Sequence, residues 1–383
     1  MTIQEDSLDL HEKLKGKLSI NSKIPLNTKL DFSLAYTPGV AEPCRKIAEN
    51  PENVYKYTIK SNTVAVISNG TAVLGLGNIG AKAAIPVMEG KSAIFKELGG
   101  IDSFPICIDS EDIDENVNII KKISPIFGGI NLEDYKAPEC FEIEARLQDL
   151  GIPVMHDDQH GTAIVVLAAI INSLKLAEKN IQDVKIIVSG AGAAAIAVSK
   201  LLLSYGAKNI ILLDTKGAIF KGRADLQENK SKLEIAELSN PNLESGSLSD
   251  AIKNADIFIG LSKKDLLSVE AASTMNKKSI IFAMANPDPE ITPENAKKAN
   301  AFIIATGRSD FPNQVNNALG FPGIFRGALD CRATKITEKM KLAAANALAN
   351  MIIPSVGNIL PSITDRTVPV KVAEAVKNAW LQN

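Results

Sequence analysis

Short unbroken apolar runs, each closed by glycine, proline or polar residues, recur along most of this chain. Residues 63–67, 103–109, 127–132, 184–189, 210–213, 256–260, 280–285 and 302–305 have the length and the Val/Ile content of buried strands. Segments of helical length separate them: one carrying Met88 to Lys91, one over 138–150, one opening at Gly161-Thr162, and one over 196–203. Continuous apolar strands alternating with helices predict an α/β fold with parallel sheets covered on both faces. The two ends read differently. Residues 8–18 show helical spacing among charges, as in a surface helix or an oligomer contact, and 42–49 read as another helix. Asn69-Gly70 reads as a hairpin turn between 63–67 and a second strand at 72–74. At the other end, 336–353 and 370–380 read as helices around a proline-rich link.

A length of 383 residues with 45% apolar content allows two domains with a core each. A net charge of −2 and a pI near 6.1 give no footprint for nucleic acid or an anionic membrane. The first residues are acidic and polar, unlike a leader peptide, and the longest apolar run, 163–171, is too short to cross a bilayer. A cytoplasmic protein is expected. Cys44, Cys107, Cys140 and Cys331 are scattered and form no C-x-x-C pair, so they read as reduced thiols.

Two glycine motifs compete as nucleotide sites. Gly75-Leu76-Gly77-Asn78-Ile79-Gly80 fits G-x-G-x-x-G, but no comparable acid follows its next strand, so it reads as a close-packed turn near the site. The second, Gly190-Ala191-Gly192-Ala193-Ala194-Ala195, follows a strand, opens an apolar helix, and leads to a second strand that ends in Asp214. There Gly190 makes the tight turn, Gly192 admits a pyrophosphate to the backbone, small Ala195 allows close helix packing, and Asp214 can accept from ribose hydroxyls. The second half is therefore expected to be a Rossmann-like, doubly wound dinucleotide-binding domain over 161–383, with 335–383 packing back on an N-terminal α/β domain over 1–160. Asp214 favours NAD because a carboxylate repels a ribose phosphate, although Lys216 and Lys221 lie near enough in sequence to soften that, so NADP stays open.

Paired acids close two strand-like runs in the first half, Glu133-Asp134 and Asp157-Asp158. An acidic pair at a helix start is commonly only a cap favoured by the helix dipole. If the two strands are neighbours, however, the acids meet and repel unless a cation lies among them, and an all-oxygen set favours Mg²⁺ or Mn²⁺. His156 and His160 are spaced i, i+4, but Asp157 stands where a zinc-protease motif needs Glu, which speaks against zinc. Tyr36 precedes a Pro-Gly turn from which a phenol can reach a cleft. Asn286 and Asn317 lie in polar loops after strands, where an amide can orient a carboxylate or a nicotinamide.

Taken together and in order, Tyr36-Thr37-Pro38-Gly39-Val40, the 75–80 turn, Met88-Glu89-Gly90-Lys91, Asn131-Leu132-Glu133-Asp134, the 156–162 segment, Gly190-Ala191-Gly192, Ala285-Asn286-Pro287 and Asn316-Asn317 resemble those of malic enzymes. The length is similar to that of the short bacterial form, without the phosphate-acetyltransferase-like domain of longer members. The resemblance implies oxidative decarboxylation of L-malate to pyruvate and CO₂ with reduction of NAD or NADP, decarboxylation of oxaloacetate, and a homodimer. It implies Lys91 as general base and Tyr36 as general acid. Glu133, Asp134 and Asp158 would be metal ligands, with Asp157 just behind them, and Lys91, Asn286 and Asn317 would contact substrate, Asn286 also the cofactor. A lysine beside a divalent cation is expected to have a depressed pKa. Larger members carry a carboxylate-binding Arg before the first glycine turn. Thr71-Ala72-Val73 stands there instead, leaving Arg308 and Arg326 as guesses. Two other readings remain: a different dehydrogenase of the amino-acid type, which would not need the acidic cluster, and a dinucleotide-binding regulator without turnover.

Overall fold

The structure is a computed structural model and describes residues 2–382. Among the described residues, ten strands form two sheets. β1 (Thr63–Ser68), β2 (Asp102–Cys107), β3 (Gly129–Leu132) and β4 (Val154–His156) make a parallel sheet in the order β2-β1-β3-β4. β5 (Lys185–Ser189), β6 (Asn209–Asp214), β7 (Gly217–Ala218), β8 (Ile257–Gly260), β9 (Ile280–Ala283) and β10 (Ile303–Thr306) make the second, in the order β10-β9-β8-β5-β6-β7. All of its pairings are parallel except the short β6–β7 pair. Every residue of β1, β3, β8 and β9 is buried, as parallel strands covered by helices require. The order reverses direction at β5, and at that switch point the crevice outside the strand ends receives ligands in such sheets.

One helix joins the two halves. Asp157–Ala177 starts directly at the end of β4, and Ala163 to Ile171 are buried without interruption. The apolar run alone is too short to cross a bilayer, but the helix as a whole, with 21 residues, is long enough. Its apolar residues instead belong to the largest core, with β5, the Ala193–Ser204 helix and the Glu338–Asn350 helix.

Several sequence expectations are corrected. Residues 72–74 form no strand: Val73 makes an isolated bridge to Gly77, and Leu74–Leu76 is a 3-10 turn, so Asn69-Gly70 does not close a hairpin. The first helix is Ile3–Leu14, begun by a capping box between Thr2 and Glu5, rather than 8–18. The expected 138–150 helix is shorter, Glu139–Arg146. Residues 321–330, an apolar Gly-Pro segment for which the sequence pattern predicts no element, form a buried helix, Phe321–Asp330. Its glycines are what permit packing: a Cβ on Gly323 would press on Val372 and Pro369, and one on Gly327 on Ala373 and Val376, all in the Val368–Leu381 helix.

Candidate active site

The parallel register of β3 and β4 pairs Leu132 with His156, so the residues that follow, Glu133-Asp134 and Asp157-Asp158, emerge at the same sheet edge. Oxygens of Glu133, Asp134 and Asp158 all lie within 4.8 Å of one another. Local hydrogen bonds set this geometry. Glu133 N donates to Ile67 O on β1 at 2.9 Å, Asn131 Nδ2 donates to Glu133 Oε2 at 2.9 Å, and Asp134 N donates to Asp158 Oδ2 at 2.8 Å.

Lys91 reaches the cluster from the Gly80–Gly99 helix. Met88, Lys91, Ser92 and Phe95 are buried on that helix, at helical spacing. The Lys91 ammonium lies 2.6 Å from Asp157, 2.8 Å from Glu133 and 4.2 Å from the centre of the Phe321 ring. One lysine thus serves several buried acids. Burial alone would lower the Lys91 pKa, but Asp157, Glu133 and Asp158 outweigh it and hold the value far above normal. For the acids burial wins: it pushes Glu133 and Asp157 up to about 7, although Lys91 pulls each of them down, and it raises Asp158 as well.

A divalent cation suits this donor set. Three carboxylates, Asp157, Glu133 and Asp158, act on one lysine, and the mutually close Glu133, Asp134 and Asp158 offer only oxygen. His156 is fully buried and burial brings it down to about 4, leaving a neutral imidazole 3.3 Å from Asp158.

The first glycine turn lies beside the second domain's loop. A Cβ on Gly75 would collide with the Asn286 carbonyl and crowd Pro287, and one on Gly307 would touch the Asn286 amide. Asn286 is exposed at this junction, while Asn317 opens the short turn Asn317–Leu319 ahead of Phe321. No hydrogen bond joins either asparagine to the acids among the described residues. Tyr36 is not brought in either: it is 72% exposed at the end of the Lys29–Ala35 helix. Arg308 pairs with Asp310 and Pro287 O, and Arg326 with Asp330 and Asn62, so neither is aimed at the cluster.

At the other glycine motif, Gly190 has a φ of +125° and donates to Leu213 O at 2.8 Å, and its missing Cβ avoids Leu261 O. Gly192 caps the Ala193–Ser204 helix with no side-chain hydrogen bond, which leaves first-turn N–H groups of Ala193, Ala194 and Ala195 for an anion. Asp214 is far from a free acceptor. Its oxygens receive Arg223 Nη1 at 3.0 Å, Arg223 Nη2 at 2.5 Å, Lys232 Nζ at 2.6 Å and Lys216 N at 2.9 Å. Burial pushes its pKa up, yet these donors hold it well below the usual range. The lysines singled out by nearness in sequence point elsewhere, the Lys216 side chain to Asp225 and Lys221 to Glu237. Arg223 and Lys232 escaped the sequence reading because no motif marks them.

A doubly wound sheet with an open helix N-terminus at its switch point, in a chain that also buries a lysine among acids, has the form of a two-domain dinucleotide-dependent enzyme. Comparison with known proteins narrows this. The family model "Malic enzyme, N-terminal domain" matches residues 15–148, and "Malic enzyme, NAD binding domain" matches 159–380. The chain is 51% identical over 386 residues to the bifunctional malic/malolactic enzyme of Bacillus subtilis, covering 100% of this chain and 94% of that one. It is 55% identical to the NAD-dependent malic enzyme of Geobacillus stearothermophilus, covering 95% and 76%. The crystal structure of the NAD-dependent malic enzyme of Thermotoga maritima superposes with a TM-score of 0.95 at 49% identity, covering 97% of this chain and 99% of that one. The chain belongs to the malic enzyme family, the NAD(P)-dependent decarboxylating oxidoreductases that act on malate.

Proposed function

We propose that this chain converts L-malate to pyruvate and CO₂ with transfer of a hydride to NAD(P), in a divalent-metal-dependent reaction in the cytoplasm, and that it also decarboxylates oxaloacetate. The observation that carries the reading is the buried Lys91 ammonium between Glu133 and Asp157, at the edge of three mutually close carboxylates. Glu133, Asp134 and Asp158 would hold Mg²⁺ or Mn²⁺. A cation there supplies positive charge beside the negative charge that develops on the substrate oxygen. With Glu133 and Asp158 serving a cation, Lys91 would lose their field and could pass its ammonium proton to Asp157, on which it already rests; the neutral amine could then take the hydroxyl proton. Asn286 and Asn317 orient the substrate, Asn286 with the nicotinamide, and Tyr36 returns a proton to carbon after CO₂ leaves.

Tyr36 is 72% exposed in the single chain, which supports a homodimer in which the neighbour's active site takes it up. The N-terminal arm fits this: Leu30, Phe32 and Leu34 are 66%, 53% and 68% exposed, an apolar surface of the kind that partners cover. NAD is the expected cofactor. Saturation of Asp214 by Arg223 and Lys232 removes much of its repulsion of a 2′-phosphate, which supports NADP as a second.

The test follows reduced-nicotinamide absorbance with L-malate, Mn²⁺ and NAD or NADP, with and without a chelator, while pyruvate is assayed. Chelator-sensitive reduction matched by pyruvate is expected. Lys91→Ala should lose malate oxidation, and Tyr36→Phe should lose pyruvate release. Full-rate turnover in chelator would remove the metal from the reading.

A further inference from the structure

Glu144, on the Glu139–Arg146 helix, stands outside the acidic cluster but grips the segment that carries half of it. Its Oε1 accepts His156 N at 2.9 Å, and its Oε2 accepts Gln159 Nε2 and His160 Nε2, each at 3.1 Å. These donors flank Asp157 and Asp158 on both sides. His160 is held in turn by Lys341, whose Nζ lies 2.9 Å from His160 Nδ1. An ammonium can only donate, so Nδ1 accepts and Nε2 carries the hydrogen aimed at Glu144. Burial would raise the Glu144 pKa, but His160 and the charge of Lys341 hold it down to about 2, so the carboxylate is ionised.

Lys341 lies on the Glu338–Asn350 helix, so the chain of contacts ties together three helices from separate parts of the sequence. A cavity of about 710 Å³ opens beside it, lined also by Met155, Ile196, Lys200 and Ser231. Truncation of Glu144 or Lys341 therefore exposes water-accessible space rather than a dry void, and folded variants are attainable.

We propose that Glu144, backed by His160 and Lys341, is a positioning residue that sets the metal affinity of the active-site carboxylates. By holding the His156 backbone before Asp157 and Asp158 and the Gln159 and His160 side chains after them, it aims Asp158 toward the cation and Asp157 toward Lys91. Groups that orient ligands in this way are commonly worth about 10–100-fold in metal affinity. The inference rests on the metal site proposed above.

The test is Mn²⁺ titration by calorimetry without substrate, accompanied by NADH binding and thermal unfolding. Glu144→Gln keeps the size but presents an amide NH₂ to a donor, and it should weaken Mn²⁺ binding about tenfold or more. Lys341→Met should weaken it less, in the same direction. NADH affinity should hold in both, because the glycine turn at 190–192 is not touched. Unchanged Mn²⁺ affinity in a folded Glu144→Gln protein overturns the proposal, even if its melting temperature falls. Should that variant fail to fold, Lys341→Met decides, and unchanged affinity there overturns it equally. Asp158→Asn separates the two readings: if it still binds Mn²⁺ normally, the metal site itself is wrong.

Discussion

Glu133 shows how far a single buried residue departs from its behaviour in water. Burial raises its pKa to about 7, and Lys91 and Asn131 offset only part of that. To ligate a cation it must be ionised, so below about pH 7 a proton competes with the metal for the same oxygens. The sign is definite: Mn²⁺ affinity should be weaker at about pH 6 than at about pH 8, by up to about tenfold per unit for each proton displaced, and should level off above Glu133's pKa. Calorimetry in buffers of differing ionisation enthalpy would count the protons released. Affinity independent of pH over that range would mean that Glu133 is not a ligand. The residue types themselves were readable, since acids after apolar runs are conspicuous. Their raised pKa values were not, because burial follows from the packing of helices around them.

The Asp157–Ala177 helix carries its own constraint at its first turn. Asp157 lies one turn before Gly161, and a Cβ on Gly161 would occupy the space of the Asp157 carboxylate. Only glycine leaves that acid free to turn back toward Lys91, 2.6 Å away. Gly161→Ala should therefore displace Asp157, lower malate oxidation by at least about tenfold and cost about 1–3 kcal/mol of stability as overpacking. NADH binding should survive. Wild-type turnover in the alanine variant would show that Asp157 needs no fixed position. Strands were the most legible elements, because buried parallel strands are continuous apolar runs. The Phe321–Asp330 helix was not legible, since Pro322, Gly323 and Gly327 look like a loop until the Val368–Leu381 helix is seen to need their small surface. The 72–74 strand failed for the converse reason: three residues of strand-like composition had no neighbouring strand to pair with.

For the protein as a whole, the question is whether one chain makes one site. Lys91 is 7% exposed and Tyr36 72%, so the proposed base and acid occupy different environments within a single chain. Subunit exchange between Tyr36→Phe and Lys91→Ala proteins tests this. If Tyr36 acts across a dimer, each mixed dimer regains one intact site, and a statistical mixture should recover about a quarter of wild-type activity. If it acts within its own chain, every site keeps a defect and the mixture stays inactive.

What depends on local order could be read from the residues alone: the α/β alternation, the Gly190 to Ala195 turn with its strand and helix, and the ordered motifs shared with malic enzymes. Those features follow from periodicity and from conformations that only certain residues adopt, so they are legible one segment at a time. Which charges meet was settled by packing. The folded chain sets Lys91 between Glu133 and Asp157, ties Asp214 to Arg223 and Lys232, and brings Lys341 against His160. Charge interactions depend on distance and burial rather than on separation along the chain, and both come into being only when the helices and the two sheets pack.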